Sequence, residues 1–322
     1  MYLKRSRLLP LVLILAGWVS AAEQEKPLFT FGVVADIQYA DKDTSGARRY
    51  RESVPKLAGA VAEWSKQDLA FVVELGDIVD GRGAETGKDL AKVLETLKPL
   101  GVPLHHVLGN HDVAALGHDA AVQALGLGKP YYDFAQNGWR FVVLDGMGLS
   151  LGGWPAESER LKAAKAYLQA NQKGNRPELV QWNGAIDDEQ KKWLEETLAK
   201  AAKDGERVVV FCHHPALPEA TGGGAMLWNH DEIVKVLEAC PAVVAYVAGH
   251  EHRGGYAFRN GIHHVTLQGL VESPADGTAF GVVSVYADKL AIRGFGALSN
   301  RTLKAREAPS GAAAQAAEAK AK

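Results

Sequence analysis

Five segments of this chain set metal-binding side chains directly after a short apolar run, and that recurrence constrains the fold more than any average over the sequence. In chain order they are Asp36-Ile37-Gln38, Gly76-Asp77-Ile78-Val79-Asp80, Gly109-Asn110-His111-Asp112, Cys212-His213-His214 and Gly249-His250-Glu251-His252. Apolar runs at 29–35, 71–75, 141–144, 208–211 and 243–247 are short and rich in β-branched residues, which predicts buried strands. Between the runs, residues 47–66, 87–98, 187–203 and 229–239 carry helical spacing, with Trp193, Leu194 and Leu198 on one face and Asp187 placed as a cap. After residue 255 the pattern turns to strands alone, at 263–267, 280–286 and 290–295, the last two flanking a turn at Ala287-Asp288. This order predicts an α/β fold of two packed sheets flanked by helices. In such folds ligand sites form at the carboxyl ends of strands, where each departing loop can aim side chains into a shared crevice.

The two ends read differently. Residues 1–22 have the form of a secretory signal peptide: Lys4, Arg5 and Arg7 precede an apolar stretch, and small residues follow at 19–22. The stretch is shorter than the ~20 residues that span a bilayer, so cleavage and a periplasmic or secreted location are expected. Residues 305–322 are Ala-rich and without aromatics, which predicts a disordered tail. No internal repeat and no Pro-, Gly- or Ser-rich linker divides residues 23–304, so one catalytic domain is expected there.

Composition narrows the function. The formal charge is −2; without the three leader cations, 33 Lys+Arg face 38 Asp+Glu, or −5. No basic field exists to hold a nucleic-acid polymer or an anionic membrane. Two cysteines, Cys212 and Cys240, are too few for a disulfide scaffold or a Cys-rich zinc module, and their pairing is left open. Asp oxygens, Asn and Gln carbonyls and His nitrogens suit a divalent ion such as Mn²⁺, Fe²⁺, Mg²⁺ or Zn²⁺ without demanding thiolate.

Taken singly, each segment has an ordinary reading: Gly-Asp as a turn, Asn110 as a helix cap, His250 and His252 as a solvated loop pair. Taken in order, Asp-x-Gln, Gly-Asp-x-x-Asp, Gly-Asn-His-Asp, His and Gly-His-x-His resemble the calcineurin-like metallophosphoesterase family, over almost all of residues 29–296. The resemblance implies the family's αββα sandwich of two mixed sheets and a centre of two divalent metals. It implies that Asp36, Gln38 and His252 hold one ion, that Asn110, His213 and His250 hold the other, and that Asp77 bridges both. A metal-bridging hydroxide would attack phosphorus, His111 would face the leaving oxygen, and Asp80 would orient His111, with Asp112 a lesser candidate for that role.

Gln38 departs from the Asp-x-His common in the family. A neutral amide oxygen in place of imidazole leans the first site from zinc toward manganese or magnesium. Together with Arg49-Tyr50-Arg51, Trp182-Asn183-Gly184, the stretch from Gly249 to Tyr256 and the stretch from Gln268 to Ser273, it resembles the manganese-dependent ADP-ribose/CDP-alcohol diphosphatase branch. That branch implies cleavage of the pyrophosphate bond of nucleoside diphosphate conjugates, a small-molecule partner, and no evident protein partner. The alternatives are a phosphodiesterase or phosphomonoesterase of the same fold, or a non-catalytic nucleotide receptor, which the complete ligand set disfavours.

Other residues have plainer readings. His106, His214, His263 and His264 are expected in packing or supporting roles, and His118 and His230 on the surface or in loops. Cys212 reads as a buried strand residue. Tyr39, Trp182 and Tyr256 are either core or platforms for a nucleobase. The loop at 221–224 is a candidate gate.

Overall fold

A computed structural model describes residues 25–306. The expected signal peptide and residues 307–322 lie outside that range. The first half-domain alternates strand and helix: β1 (Phe29–Val34), α1 (Ser53–Trp64), β2 (Leu69–Glu74), α2 (Thr86–Leu97) and β3 (Leu104–His106), followed by the short helices α3 (Asn110–Leu116) and α4 (His118–Ala124). The second continues with β4 (Tyr132–Gln136), β5 (Trp139–Val143), β6 (Leu149–Ser150), α5 (Glu159–Asn171), β7 (Gly184–Ala185), α6 (Asp188–Lys203), β8 (Arg207–Phe211), α7 (His230–Ala239) and β9 (Val243–Ala248). Strands β10 (Gly255–Arg259), β11 (Ile262–Thr266), β12 (Ala279–Val285), β13 (Lys289–Gly296) and β14 (Arg301–Lys304) complete it.

Two six-stranded sheets result, ordered β14-β13-β12-β1-β2-β3 and β10-β11-β9-β8-β5-β4. Each is mixed, with parallel pairs of β1 with β2 and β2 with β3 in one, and of β5 with β8 and β8 with β9 in the other. The expected hairpin, β12 to β13, forms at Ala287-Asp288, where Tyr286 N–H donates to the Lys289 carbonyl. The expected two-sheet sandwich is therefore the observed one. Its inner layer is aromatic: Phe31 and Phe71 stack with centroids 4.8 Å apart, and Phe141 and Phe211 meet them from the facing sheet. Each such side chain, fully buried, contributes on the order of 1.5–3 kcal/mol. Helices α1 and α2 cover the outer face of the first sheet and α6 and α7 that of the second, giving the αββα layers. Asp187 caps α6 as expected, accepting from Gln190 N–H at 2.8 Å.

The structure amends several local expectations. The third metal-binding segment follows β3, a strand of Leu104-His105-His106 too short and polar to stand out, whereas the apolar run at 141–144 belongs to β5 and supplies none of the five segments. Helix α5 and edge strands β4 and β14 carry weak periodicity and are held by tertiary packing. Ala305 donates its N–H to the Asp288 carbonyl, so the packed chain runs past 304. His118 is buried, not on the surface, and His230 opens α7. Cys212 and Cys240 are both free thiols, and burial pushes Cys212 up to about 11, which leaves it inert as a nucleophile. Among the described residues no helix is long and apolar enough to cross a membrane.

Candidate metal centre

All seven residues expected to hold metal come together where the carboxyl ends of β1, β2, β3, β8 and β9 meet. Asp36, Asp77 and His252 bring donor atoms within 4.8 Å of one another, and so do Asp77, His213 and His250. The two groups share Asp77. Asn110 adds its Oδ1 3.1 Å from His213 Nε2. Gln38 donates from Nε2 to Asp77 Oδ2 at 2.9 Å, which leaves its Oε1 buried without a hydrogen-bond partner.

The backbone is bent to make this possible. Six non-glycine residues among those described have positive φ, and four of them are Asp36 (52°), Gln38 (41°), Asp77 (56°) and His250 (68°). Left-handed backbone costs a residue with a Cβ about 1 kcal/mol or more, and it persists where the surroundings impose it. Asp112 does much of the imposing. Its carboxylate accepts from the N–H groups of Asp77, Ile78, Val79 and Gly109, pinning the loop after β2 to the start of α3. Gly109 is required at the junction, since a Cβ there would lie 2.1 Å from Asp77 N.

Every histidine of the centre is held from outside. His213 Nδ1 lies 2.8 Å from the Leu75 carbonyl, His252 Nδ1 lies 2.8 Å from Glu272 Oε1, and His250 Nε2 lies 2.7 Å from Asn183 Oδ1. The opposite nitrogens face inward: His213 Nε2 is 3.4 Å from Asp77 Oδ2, His252 Nε2 is 3.3 Å from Asp36 Oδ1, and His250 Nδ1 is 3.2 Å from His213 Nε2. This is how metal-binding histidines are oriented in general, one nitrogen on a supporting acceptor and the other free to ligate.

The electrostatics agree. Burial disfavours charge on His213 and His252, yet the carboxylates Asp77 and Asp36 overcome it and push these imidazoles up to about 9 and about 10. Burial and the neighbouring His214 and His213 hold His250 well below the ordinary histidine value, so that ring stays neutral. A pocket whose carboxylates draw protons onto buried histidines is one that favours cations. Donor set, orphaned Gln38 oxygen and field therefore all fit a pair of divalent metals.

Beside the centre, His111 Nδ1 is 2.9 Å from Asp80 Oδ1, the partnership expected from the sequence. Asp112, contacting backbone amides alone, has no part in orienting that ring. A cavity of about 400 Å³ opens over these groups, lined by Gln38, Arg48, Asp77, Asn110, His111, Trp182, Ala225, His250 and His252. Trp182 is 51% exposed at its mouth, which removes the core reading for it; Tyr39 is buried, and Tyr256 on β10 pairs with His263 of β11, outside the cavity lining. Sequence reasoning missed Asn183, Glu272 and Arg48. The first two lay within stretches resembling the diphosphatase branch, but nothing local gave them a task.

A centre of this kind at the strand ends of an αββα sandwich defines a metallophosphoesterase. Residues 29–254 match the calcineurin-like phosphoesterase family, and the chain belongs to it. It is 32% identical to the manganese-dependent ADP-ribose/CDP-alcohol diphosphatase of Xenopus laevis, over 90% of this chain and 94% of that protein, and 35% identical to that of Arabidopsis thaliana, over 85% and 96%. A dimetal phosphatase from Danio rerio superposes with a TM-score of 0.81 at 30% identity, covering 87% of this chain and all of that one.

Proposed function

We propose that this chain hydrolyses the pyrophosphate bond of nucleoside diphosphate conjugates such as ADP-ribose and CDP-alcohols. The observation that carries the reading is the pair of donor groups sharing Asp77 beneath a cavity whose lining also includes the Arg48 guanidinium and the exposed ring of Trp182. Asp36, Gln38, Asp77 and His252 would hold one divalent ion, and Asp77, Asn110, His213 and His250 a second, with manganese favoured by the oxygen-rich first set. Bound there, the two ions supply Lewis-acid stabilisation of phosphoryl oxygens and a water acidified toward neutral pH.

The rest is the work of side chains. His111 lines the cavity with its Nε2 4.0 Å from Asp77 Oδ2, and its role would be to protonate or stabilise the leaving oxygen of a phosphate bound over the two donor groups. Burial lowers its basicity, but Asp77 and Asp80 outweigh that and raise it, favouring the proton-bearing form at neutral pH. Arg48, 3.8 Å from Asp80 and 3.6 Å from Glu272, places a permanent cation on the rim for the second phosphate, which a monoester lacks. Trp182 offers a stacking face to the base. The test is a product-identified assay with Mn²⁺: AMP from ADP-ribose or CMP from CDP-choline supports the reading, and cleavage of neither sinks it.

We further propose that the chain is exported, supported by the basic and apolar pattern of residues 1–22. N-terminal sequencing of the protein from extracytoplasmic fractions should begin near residue 23; an intact Met1 on cytoplasmic protein would overturn this.

A further inference from the structure

Asn183 is fully buried and 67 residues from the histidine it touches. Its amide nitrogen donates to two carbonyls, those of Glu178 at 2.8 Å and Gly224 at 2.5 Å. Turning the amide over would set its oxygen against both carbonyl oxygens, so only one orientation is consistent, and it places Oδ1 against His250 Nε2. An acceptor at Nε2 requires the ring proton there. The lone pair of His250 is then left on Nδ1, the nitrogen that faces His213 and the centre.

We infer that Asn183 is a positioning residue with two tasks. Its oxygen holds His250 in the Nε2–H tautomer with Nδ1 turned to the metals. Its nitrogen ties that histidine to the cavity wall, because Glu178 lies just before Trp182 in the chain and Gly224 directly before Ala225, and both Trp182 and Ala225 line the cavity. Only an amide performs both. A carboxylate keeps the acceptor for His250 but opposes the two carbonyls, and an aliphatic side chain of equal size keeps neither. The inference rests on the reading of His250 as a metal-facing residue.

Mn²⁺ affinity measured without substrate separates the possibilities, using the full chain, Asn183→Leu, Asn183→Asp and His250→Ala. Asn183→Leu should weaken one of two Mn²⁺ sites by roughly 10–100-fold, the usual consequence of losing an outer support. Asn183→Asp should recover most of that affinity yet raise KM for the nucleotide substrate more than it lowers kcat. Wild-type Mn²⁺ affinity in Asn183→Leu, or equal loss in Asn183→Asp, overturns the inference. A readout on the unmutated chain stands beside these: long-range ¹H–¹⁵N spectra with Mg²⁺ bound should find the His250 proton on Nε2, and a proton on Nδ1 overturns it. Wild-type affinity in His250→Ala would overturn the reading of the centre itself, whereas weakened His250→Ala with unaffected Asn183→Leu overturns only the role of Asn183.

Discussion

His111 and Asp80 form a pair in which Nδ1 lies 2.9 Å from Oδ1, and the same carboxylate is also gripped by Lys42. Burial alone would raise the Asp80 pKa, but His111 and Lys42 beside the carboxylate lower it, so Asp80 favours its ionised form and with it the charged form of His111. His111→Ala should slow turnover by roughly 10²–10⁴-fold while leaving Mn²⁺ affinity near wild type. Asp80→Asn removes a negative neighbour and lowers the His111 pKa. Because the acid form is lost as pH rises through that pKa, the alkaline limb of kcat should move to lower pH; an unmoved limb would assign Asp80 a purely structural role.

Gln38 Oε1 is buried without a hydrogen-bond partner beside Asp77, where it is available to a metal. Replacing that oxygen with an imidazole nitrogen, Gln38→His, should shift competition between metals toward Zn²⁺ and away from Mn²⁺. Metal content after dialysis against an equimolar mixture, measured by mass spectrometry, checks this.

Trp182 should matter only to substrates with a base. Stacking on an aromatic face contributes about 1–3 kcal/mol, so Trp182→Ala should lower kcat/KM for ADP-ribose by roughly 5- to 150-fold. Hydrolysis of bis(4-nitrophenyl) phosphate, which carries no nucleoside, should change far less, and an equal loss on both would refute the stacking role.

His118 joins α4, behind the helix that carries Asn110 and His111, to the end of β5 through Asp145 at 2.8 Å, with Trp154 stacked on its ring. Removing it leaves a buried carboxylate unpaired, so His118→Ala should cost roughly 3–5 kcal/mol of stability. Burial lowers the His118 pKa, yet the hydrogen bond and charge of Asp145 raise it overall. The stabilisation is therefore complete below the unfolded histidine value and is lost as pH rises through the higher folded one. Thermal unfolding of wild type should fall across that window, and that component should be absent from His118→Ala.

The gathering of the seven candidate ligands and the pairing of His111 with Asp80 were legible because each sits within a few residues of a strand end, and residue type with local spacing carries that information. The reading failed where the signal was not local. Trp182 looked as much like core as like a platform, since an aromatic residue in a loop has no periodicity to betray its exposure. His118 looked like surface until a carboxylate 27 residues away was seen to hold it. The strand before Asn110 was missed because Leu104-His105-His106 lacks the apolar run by which its neighbours were recognised.

By itself, then, the sequence determined which side chains could bind metal and at which strand ends they would lie, for strand formation and ligand chemistry are properties of neighbouring residues. Which nitrogen of each histidine faces the centre was decided only by tertiary structure. That choice depends on acceptors brought in from 138 residues away for His213, 67 for His250 and 20 for His252. A proton settles on whichever ring nitrogen meets an acceptor, and only packing the two sheets face to face determines where those acceptors are.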